Sequence, residues 1–273
     1  MAASDFVSAT HFFPIVSRTD GLAGTQWLTT LQITNPQLQE LQVTARLSTG
    51  GSIQSRSFTI AQGETLSWID FLGDVFAFEG NGALLLEAEA QQNGQVPPER
   101  RSFAASLRIS TRGTDGGSFG QGVSSSDPVT GFLGDWVAYF PAVSLSGRPG
   151  VDGFRTNVGF SSIGTGSAQM RLRILDPIGQ EVWQQVVVVA RHDPFVMALP
   201  RSLELETGTL VVEPIGGWLD CAVYISVVDN ITGDAVFLSS QLIDPDAVAA
   251  CGGADSPQAS SDRLRELFLG ELR

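Results

Sequence analysis

The chain repeats part of its own sequence after 127 positions. The segment Phe12–Pro14 has a counterpart in Tyr139–Pro141, and Thr29 has a counterpart in Thr156. Each counterpart lies 127 positions further along the chain (141 − 14 and 156 − 29). A repeat of this length indicates a duplicated domain, because the units of solenoid proteins are only about 20 to 50 residues long.

Length and composition agree with two globular domains. The 273 residues divide into two units, and a unit of roughly 120 residues buries a core without metals or many disulfides. Hydrophobic residues make up 42% of the chain and charged residues 16%, which is typical of a folded protein. The 30 glycines and 13 prolines are spread along the chain and favour many short strands joined by tight turns.

Alternating polar and apolar residues predict short β-strands in both units. Trp27–Ile33 and Leu41–Leu47 alternate in the first unit, and Phe154–Phe160 and Met170–Ile174 alternate in the second. The run Val186–Val189 is apolar on both faces and predicts a central or inter-domain strand. Seven or so short strands per unit, with few helical patterns, predict an immunoglobulin-like β-sandwich.

The predicted fold is therefore all-β, with two tandem immunoglobulin-like β-sandwich domains and a short C-terminal helix. We expect the first sandwich over residues 8–123 and the second over residues 135–243. Residues 124–134 form a polar linker between them. Residues 244–273 form a tail, where the strand pattern has stopped.

The tail contains the one helical pattern. Ser261 is a suitable N-cap for a helix that starts at Asp262. Leu264, Leu267 and Phe268 then form one apolar stripe. Three interpretations stay open: the stripe docks on the second domain of its own chain, it binds a protein partner, or the helix frays.

The charge of the chain excludes several classes of function. Its formal net charge is −13 and all 16 basic residues are arginine. An acidic surface repels phosphate backbones, so nucleic-acid binding is disfavoured. Without lysine, the chain has no Schiff-base nucleophile, phosphate-loop lysine or Ser–Lys pair.

The sequence also bears on location. It has no apolar run of 18 residues, so no membrane-spanning helix is predicted. The segment Met1–Asp5 lacks the basic and apolar regions of a signal peptide. The protein is either cytoplasmic or secreted with its signal removed. We expect an extracellular or periplasmic location.

Several motifs resemble tandem repeats of uncharacterised secreted bacterial proteins. The motifs are Phe13–Pro14, Phe140–Pro141, the glycine-rich loops before Trp27 and Phe154, and Ser226–Asp234. The likeness covers about residues 12–240. It implies an extracellular β-sandwich with no known catalytic activity.

One turn near the end of the second unit is rich in oxygen-bearing side chains. Asp229, Asn230, Thr232 and Asp234 offer oxygen ligands for Ca²⁺ around this turn. Their spacing is not that of an EF-hand, and such residues also favour hairpin turns for backbone reasons. A Ca²⁺ site and a plain turn both remain open, and no other cofactor is predicted.

Two tryptophans are candidates for different roles. Trp27 shares a strand face with Leu31 and Ile33, which predicts core packing. Trp218 follows a glycine pair in a predicted turn and is a candidate exposed platform for a sugar ring. One tryptophan alone does not make a binding strip, so this ligand site is a minor alternative.

Catalytic patterns are weak. Glu87 with Glu89, and Glu204 with Glu206, each place two carboxylates on one strand face, whereas a glycosidase needs a pair opposed across a cleft. The two histidines and two cysteines have no zinc-binding spacing. The chain is therefore not expected to be an enzyme, and a hydrolase is the weakest of the hypotheses.

The two cysteines predict a disulfide. A bond between Cys221 and Cys251 closes a loop of about 30 residues and stabilises the fold by about 3 to 4 kcal/mol in the chain-entropy model. An even cysteine count fits an oxidising compartment. The alternative is a buried thiol at Cys221 and an exposed thiol at Cys251.

The leading functional hypothesis is a non-catalytic extracellular structural or adhesive module that acts through protein–protein contacts or self-assembly. Unpaired strand edges are the expected contact elements, because an open edge accepts another chain. A carbohydrate-binding β-sandwich protein is the alternative.

Overall fold

A computed structural model describes residues 7–20, 26–88, 102–112, 116–126, 136–147, 152–162, 166–217 and 221–243 of the chain. These residues form an all-β, sandwich-like fold, which confirms the predicted fold class. The predicted C-terminal helix, with Leu264, Leu267 and Phe268, lies outside the described residues.

In the first half of the molecule, the described residues form nine strands. They are β1 (Val7–Ser8), β2 (Thr10–Asp20), β3 (Gln26–Thr34), β4 (Leu41–Thr49), β5 (Ser52–Ile60), β6 (Thr65–Trp68), β7 (Gly80–Ala88), β8 (Phe103–Arg112) and β9 (Ser118–Val123). A single helical turn at Leu72–Phe76 lies between β6 and β7 and buries Leu72 and Phe76.

In the second half, nine further strands lie within the described ranges. They are β10 (Val137–Leu145), β11 (Phe154–Ser162), β12 (Ser167–Leu175), β13 (Glu181–Ala190), β14 (Phe195–Ala198), β15 (Leu205–Gly217), β16 (Cys221–Asp229), β17 (Ala235–Ser239) and β18 (Gln241–Ile243). A 3₁₀ turn at Arg201–Leu203 precedes β15.

The two halves have the same strand order. In the first half, β5-β4-β7-β2 lie side by side, and so do β6-β3-β8-β9. Here β2 also pairs with β3 through Thr19 and Asp20, so the described strands of the first half form one nine-stranded sheet. In the second half, β13-β12-β15-β10 and β14-β11-β16-β17 repeat these two arrangements. All of these pairings are antiparallel, and β18 extends the β13–β10 sheet beyond β10.

The repeated Phe-Pro segment has the same structural role in both halves. The ladder of β2 with β7 shifts register between Phe13 and Val16, and that of β10 with β15 shifts between Pro141 and Val143. Proline has no N–H to donate to a ladder, so it is tolerated where such an irregularity interrupts the pairing. Phe13 and Phe140 are buried in the two cores.

Each half has its own hydrophobic core. The first core includes the large buried side chains of Phe13, Leu31, Ile33, Phe71, Leu84 and Phe103. The second core includes Phe140, Val158, Phe160, Leu172, Ile174 and Ile225. Trp27 is partly buried and packs against the first core, in agreement with the core role predicted for it.

The second half packs against the first through the outer face of its β14-β11-β16-β17 sheet. Tyr224 of β16 is buried and belongs to the core of the first half. Ala222 contacts Phe12 and Leu85, which face away from the first core. The Ser161 hydroxyl donates a hydrogen bond to the Pro14 carbonyl. The β14-β11-β16-β17 sheet therefore has a neighbour on each face. The five-stranded sheet of the second half packs on one face, and the first half packs on the other.

The position predicted for the valine run is wrong. Strand β13 is not central: among the described residues it pairs with β12 only, at the edge of its sheet. Val187 and Val189 are buried in the second core, whereas Val186 and Val188 are 50% and 64% exposed. Apolar residues on both strand faces indicate two apolar surfaces, but one of these surfaces faces solvent here.

Within the part of the chain that the structure describes, no helix has the length and apolar character needed to cross a membrane.

Candidate functional site

The most distinctive surface of the molecule is an apolar stripe on β13, which we name the valine edge. It consists of Val182, Val186 and Val188, which are 41%, 50% and 64% exposed. Trp183, on the opposite face, packs against the second core. Side chains alternate between the faces of a strand, so the three valines share the solvent face.

Strand β13 is also long for an edge strand. It has ten residues, and over the described residues one side of its backbone has no neighbouring strand. An edge of this kind presents unpaired N–H and C=O groups that form a template for another strand. The valine edge therefore combines free backbone groups with exposed apolar surface.

Charged residues beside the valine edge are paired with one another. Arg171 Nε lies 2.6 Å from Glu213 Oε1, and Arg173 Nε lies 3.0 Å from the same oxygen. Arg173 Nη1 lies 3.6 Å from Glu181 Oε2. Exposed ion pairs add little to stability. Their effect here is to neutralise the charge that borders the valine edge.

The equivalent edge strand of the first half has a different surface. Strand β5 occupies the place in its sheet that β13 occupies in the other. Phe58 of β5 packs against the first core, so the opposite face carries Ser55, Ser57 and Thr59, with Ile53 at its start. Polar side chains discourage edge-to-edge association. The apolar edge is thus a feature of the second half alone.

A second candidate site is an open cavity of about 390 Å³ in the second half. Its lining residues are Ser144, Ser146, Phe154, Glu206 and Val227. Phe154 is 42% exposed and offers an aromatic face beside the Glu206 carboxylate and the serine hydroxyls. Glu204, which the sequence paired with Glu206, has a left-handed backbone (φ 46°) and does not line the cavity.

The structure places the four proposed Ca²⁺ ligands in the turn between β16 and β17. Asp229 Oδ1 accepts hydrogen bonds from the backbone N–H groups of Ile231 (2.8 Å) and Thr232 (2.7 Å). These bonds hold the pKa of Asp229 below its usual range. Asp234 Oδ1 accepts from the Gly120 N–H at 3.2 Å, which connects the turn to β9 of the first half.

Asn230 of the same turn is buried, and both polar atoms of its side chain form hydrogen bonds. Its Nδ2 donates to the carbonyls of Ser146 (3.1 Å) and Asp152 (3.0 Å). Its Oδ1 accepts from Arg155 Nη1 at 3.2 Å. Asp229, Asn230 and Asp234 thus each use their Oδ1 atom in a hydrogen bond. The geometry accounts for the turn without a metal ion, and the Ca²⁺ site stays a prediction.

Several proposed residues fall outside the described part of the chain. These are Trp218, Cys251, Leu264, Leu267 and Phe268. Cys221 is described and is buried, with its Sγ 3.4 Å from the Ala222 carbonyl oxygen. The predicted disulfide and the predicted sugar platform therefore remain predictions.

The segment Gly116–Gly120 fits the Gly-x-Ser-x-Gly pattern of serine hydrolases. In those enzymes the serine lies on a strained turn between a strand and a helix. Here Ser118 is exposed and begins strand β9, in the β8–β9 hairpin. The pattern match therefore lacks the structural context of a nucleophile.

Both histidines are buried. His11 Nε2 donates to the Phe103 carbonyl at 2.9 Å, which leaves Nδ1 to accept from the Ser125 hydroxyl at 3.0 Å. His192 lies in the β13–β14 turn with a left-handed backbone (φ 52°), and its carbonyl accepts from the Gly51 N–H of the first half at 3.0 Å. Burial lowers the pKa of both imidazoles.

Comparison with known proteins identifies no family. No protein-family model and no curated protein matches the chain. One similar solved structure is a calcium-binding mutant of Bacteroides uniformis beta-glucuronidase 2, with 10% identity and a TM-score of 0.16. The alignment covers 80% of this chain and 26% of that one, so this chain spans about a quarter of that protein's length. At this TM-score the likeness supports no inference about function.

Sequence reasoning missed the valine edge and the cavity. The valine run was visible, but the pattern alone could not place β13 at an edge. A usable signal was the comparison of the two repeats, since the strand that corresponds to β13 in the first half is polar on its outer face.

Proposed function

We propose that the chain is a non-catalytic structural or adhesive module of immunoglobulin-like β-sandwich type, located outside the cytoplasm, which acts through protein–protein contacts. The valine edge is the observation that carries this proposal. Exposed apolar stripes bordered by polar residues are typical of interaction sites. An open strand adds a second source of affinity, because a partner strand pairs with its backbone.

The positions of the histidines support a non-catalytic role. A general base must reach the proton of a substrate, within hydrogen-bond distance or through one water. His11 is 1% exposed and His192 is 5% exposed, and each is part of the packing around its own strand or turn. Neither imidazole lines the cavity beside Phe154.

The proposal is tested with a variant that keeps the fold and removes the contact. Val186→Lys places a charge on the outer face of β13, and Thr59→Lys places the same charge on the outer face of β5 as a matched control. The immobilised full chain is incubated with extracellular and periplasmic proteins of the source organism, and retained proteins are quantified. We expect Val186→Lys to reduce retention at least about tenfold and Thr59→Lys to leave it unchanged. Equal retention by all three chains would reject the valine edge as the contact.

The cavity favours carbohydrate binding as a second candidate function. An exposed aromatic ring beside hydroxyl and carboxylate groups offers stacking and hydrogen bonding to a sugar. A glycan array with the wild-type chain, Phe154→Ala and Trp218→Ala tests this alternative. Binding that depends on Phe154 supports the cavity, and binding that depends on Trp218 supports the platform predicted from the sequence. If the wild-type chain binds no glycan on the array, both proposed sugar sites are rejected.

A further inference from the structure

We infer that the partner of the valine edge is a second copy of this chain, paired through its own β13. This inference rests on the proposed function and names the partner of the same surface. Two copies of β13 would run antiparallel about a two-fold axis. The two five-stranded sheets of the second halves would then form one continuous sheet across the dimer.

The alternation of side chains restricts the register of this pair. Residues directly opposite each other in an antiparallel ladder have side chains on the same face. The outer-face residues of one copy must therefore oppose outer-face residues of the other. Val186 opposite Val186, with Gln184 opposite Val188, satisfies this requirement and places Val182 near Ala190. All of these residues are exposed in the single chain.

Charges at the ends of β13 favour this register over registers that are shifted by two residues. Glu181 begins the strand and Arg191 follows its last residue. The ladder of β13 with β12 shifts register next to Glu181, so simple alternation does not fix the exact partner of this residue. With Val186 on the axis, Glu181 of each copy lies at the same end of the pair as Arg191 of the other, so the strand is complementary to itself. A shift of two residues in either direction separates these charges. The other nearby charges are Arg173, paired with Glu181 at 3.6 Å, Arg171 and Glu213, which pair with each other, and Asp193 in the turn.

The turn that carries Arg191 is held in place by the first half. The His192 carbonyl accepts a hydrogen bond from the Gly51 N–H at 3.0 Å. The end of β13 is therefore positioned before any partner arrives, and preorganisation of this kind reduces the ordering cost of association. An unrelated partner would need to match both the valines and the end charges, whereas a second copy supplies both.

The first test measures mass in solution. Sedimentation velocity and light scattering on the full chain, over a range of protein concentrations, should show a mass approaching twice that of one chain. Val186→Lys should return the mass to that of one chain, and Thr59→Lys should leave the dimer intact. Thermal melting of each variant confirms that loss of the dimer is not loss of the fold.

The second test reads the register. Val186→Cys is made in a Cys251→Ser background so that one accessible cysteine is introduced. Val186 lies on the proposed axis, so mild oxidation should link two copies of this variant. A mixture of Gln184→Cys and Val188→Cys chains should also cross-link, whereas Thr59→Cys should not.

The outcomes separate this inference from the proposed function. A chain that stays monomeric at every concentration and does not cross-link at Val186 overturns the pairing of two copies. If Val186→Lys then still reduces retention of another protein, the proposed function stands with a different partner. Cross-linking through Thr59→Cys in place of Val186→Cys would place the dimer on β5 and also overturn the inference.

Discussion

At the scale of single residues, Thr29 and Thr156 make the same pair of buried hydrogen bonds in the two halves. The Thr29 hydroxyl donates to the Ser17 carbonyl and accepts from the Ser17 N–H, both at 2.8 Å. Thr156 does the same with Ser144, at 2.8 and 3.2 Å. All of these groups are buried. Each threonine supplies the hydrogen bonds that a neighbouring strand would otherwise supply.

We expect Thr29→Val to destabilise the fold. Valine keeps the shape of threonine, but the buried Ser17 N–H and carbonyl both lose their partner. An unsatisfied buried group costs about 1–3 kcal/mol. Urea denaturation of Thr29→Val and of Thr29→Ser, which keeps the hydroxyl, measures the effect. A Thr29→Val chain as stable as Thr29→Ser would contradict this role.

We expect the two histidines to make stability depend on pH near neutrality. Burial lowers the pKa of both imidazoles below 6.5. The charge of Arg191 lowers the pKa of His192 further, and a hydrogen bond with the backbone of Ser162 raises it. The unfolded chain therefore binds protons that the folded chain does not. The free energy of unfolding should be highest above about pH 6.5 and should fall as the pH decreases from there.

Urea denaturation between pH 8 and pH 5.5 measures this slope. His192→Asn removes one titrating group and suits the left-handed backbone at that position. It should flatten the slope in part. An unchanged slope would show that His192 does not contribute.

At the scale of secondary-structure elements, the turn at residues 229–234 is closed by its own side chains. Asp229 Oδ1 accepts two backbone N–H groups, and the Thr232 hydroxyl accepts from the Asp234 N–H at 3.1 Å. We expect Asp229→Ala to lower the melting temperature and Asp229→Asn, which keeps an acceptor, to lower it less.

The same turn allows a direct test of Ca²⁺. One side-chain oxygen of each of its four candidate ligands already accepts a hydrogen bond, so adding CaCl₂ or EDTA should leave the melting temperature unchanged. A ligand that binds only the folded chain raises stability with its concentration. A higher melting temperature in CaCl₂ that is lost in Asp229→Asn would therefore establish the metal site.

The strands themselves were largely predictable from the sequence, whereas their positions in the sheets were not. Alternation placed strands at Trp27–Ile33 and Met170–Ile174, because the period of two residues is a local property. The edge position of Val186–Val189 depends on which strands pair, and pairing is set by contacts distant in sequence. For the same reason the sequence could not show that Phe154 and Glu206 line one cavity.

At the scale of the whole molecule, the repeat diverges where its two halves meet. Gly159 and Tyr224 are opposite each other in the β11–β16 ladder, and a side chain at Gly159 would collide with the Tyr224 ring. The equivalent pair in the first half is Gln32 and Ser106, both exposed. The second half thus has a buried glycine and a large aromatic ring at the contact, where the first half has two polar residues.

We expect Tyr224→Ala to weaken the contact between the halves. Its ring stacks on Phe237 with centroids 5.1 Å apart and packs into the first core. Truncation of a buried aromatic side chain costs about 3–5 kcal/mol. Differential scanning calorimetry should show one transition for the wild-type chain and two for Tyr224→Ala, with Tyr224→Phe as the control. A single transition in all three chains would show that the contact does not couple the halves.

The divergence at Gln32 and Ser106 also bears on how another unit could stack on the first half. In the second half, the outer face of β11 and β16 stacks against the first half. In the first half, the equivalent face of β3 and β8 is polar and exposed. A further repeat placed before the first would meet this face without the glycine and tyrosine that make the existing contact. Terminal units of repeat arrays have such polar outer faces as caps. Stacking another unit on this face in the same way would therefore require Gln32 and Ser106 to change together.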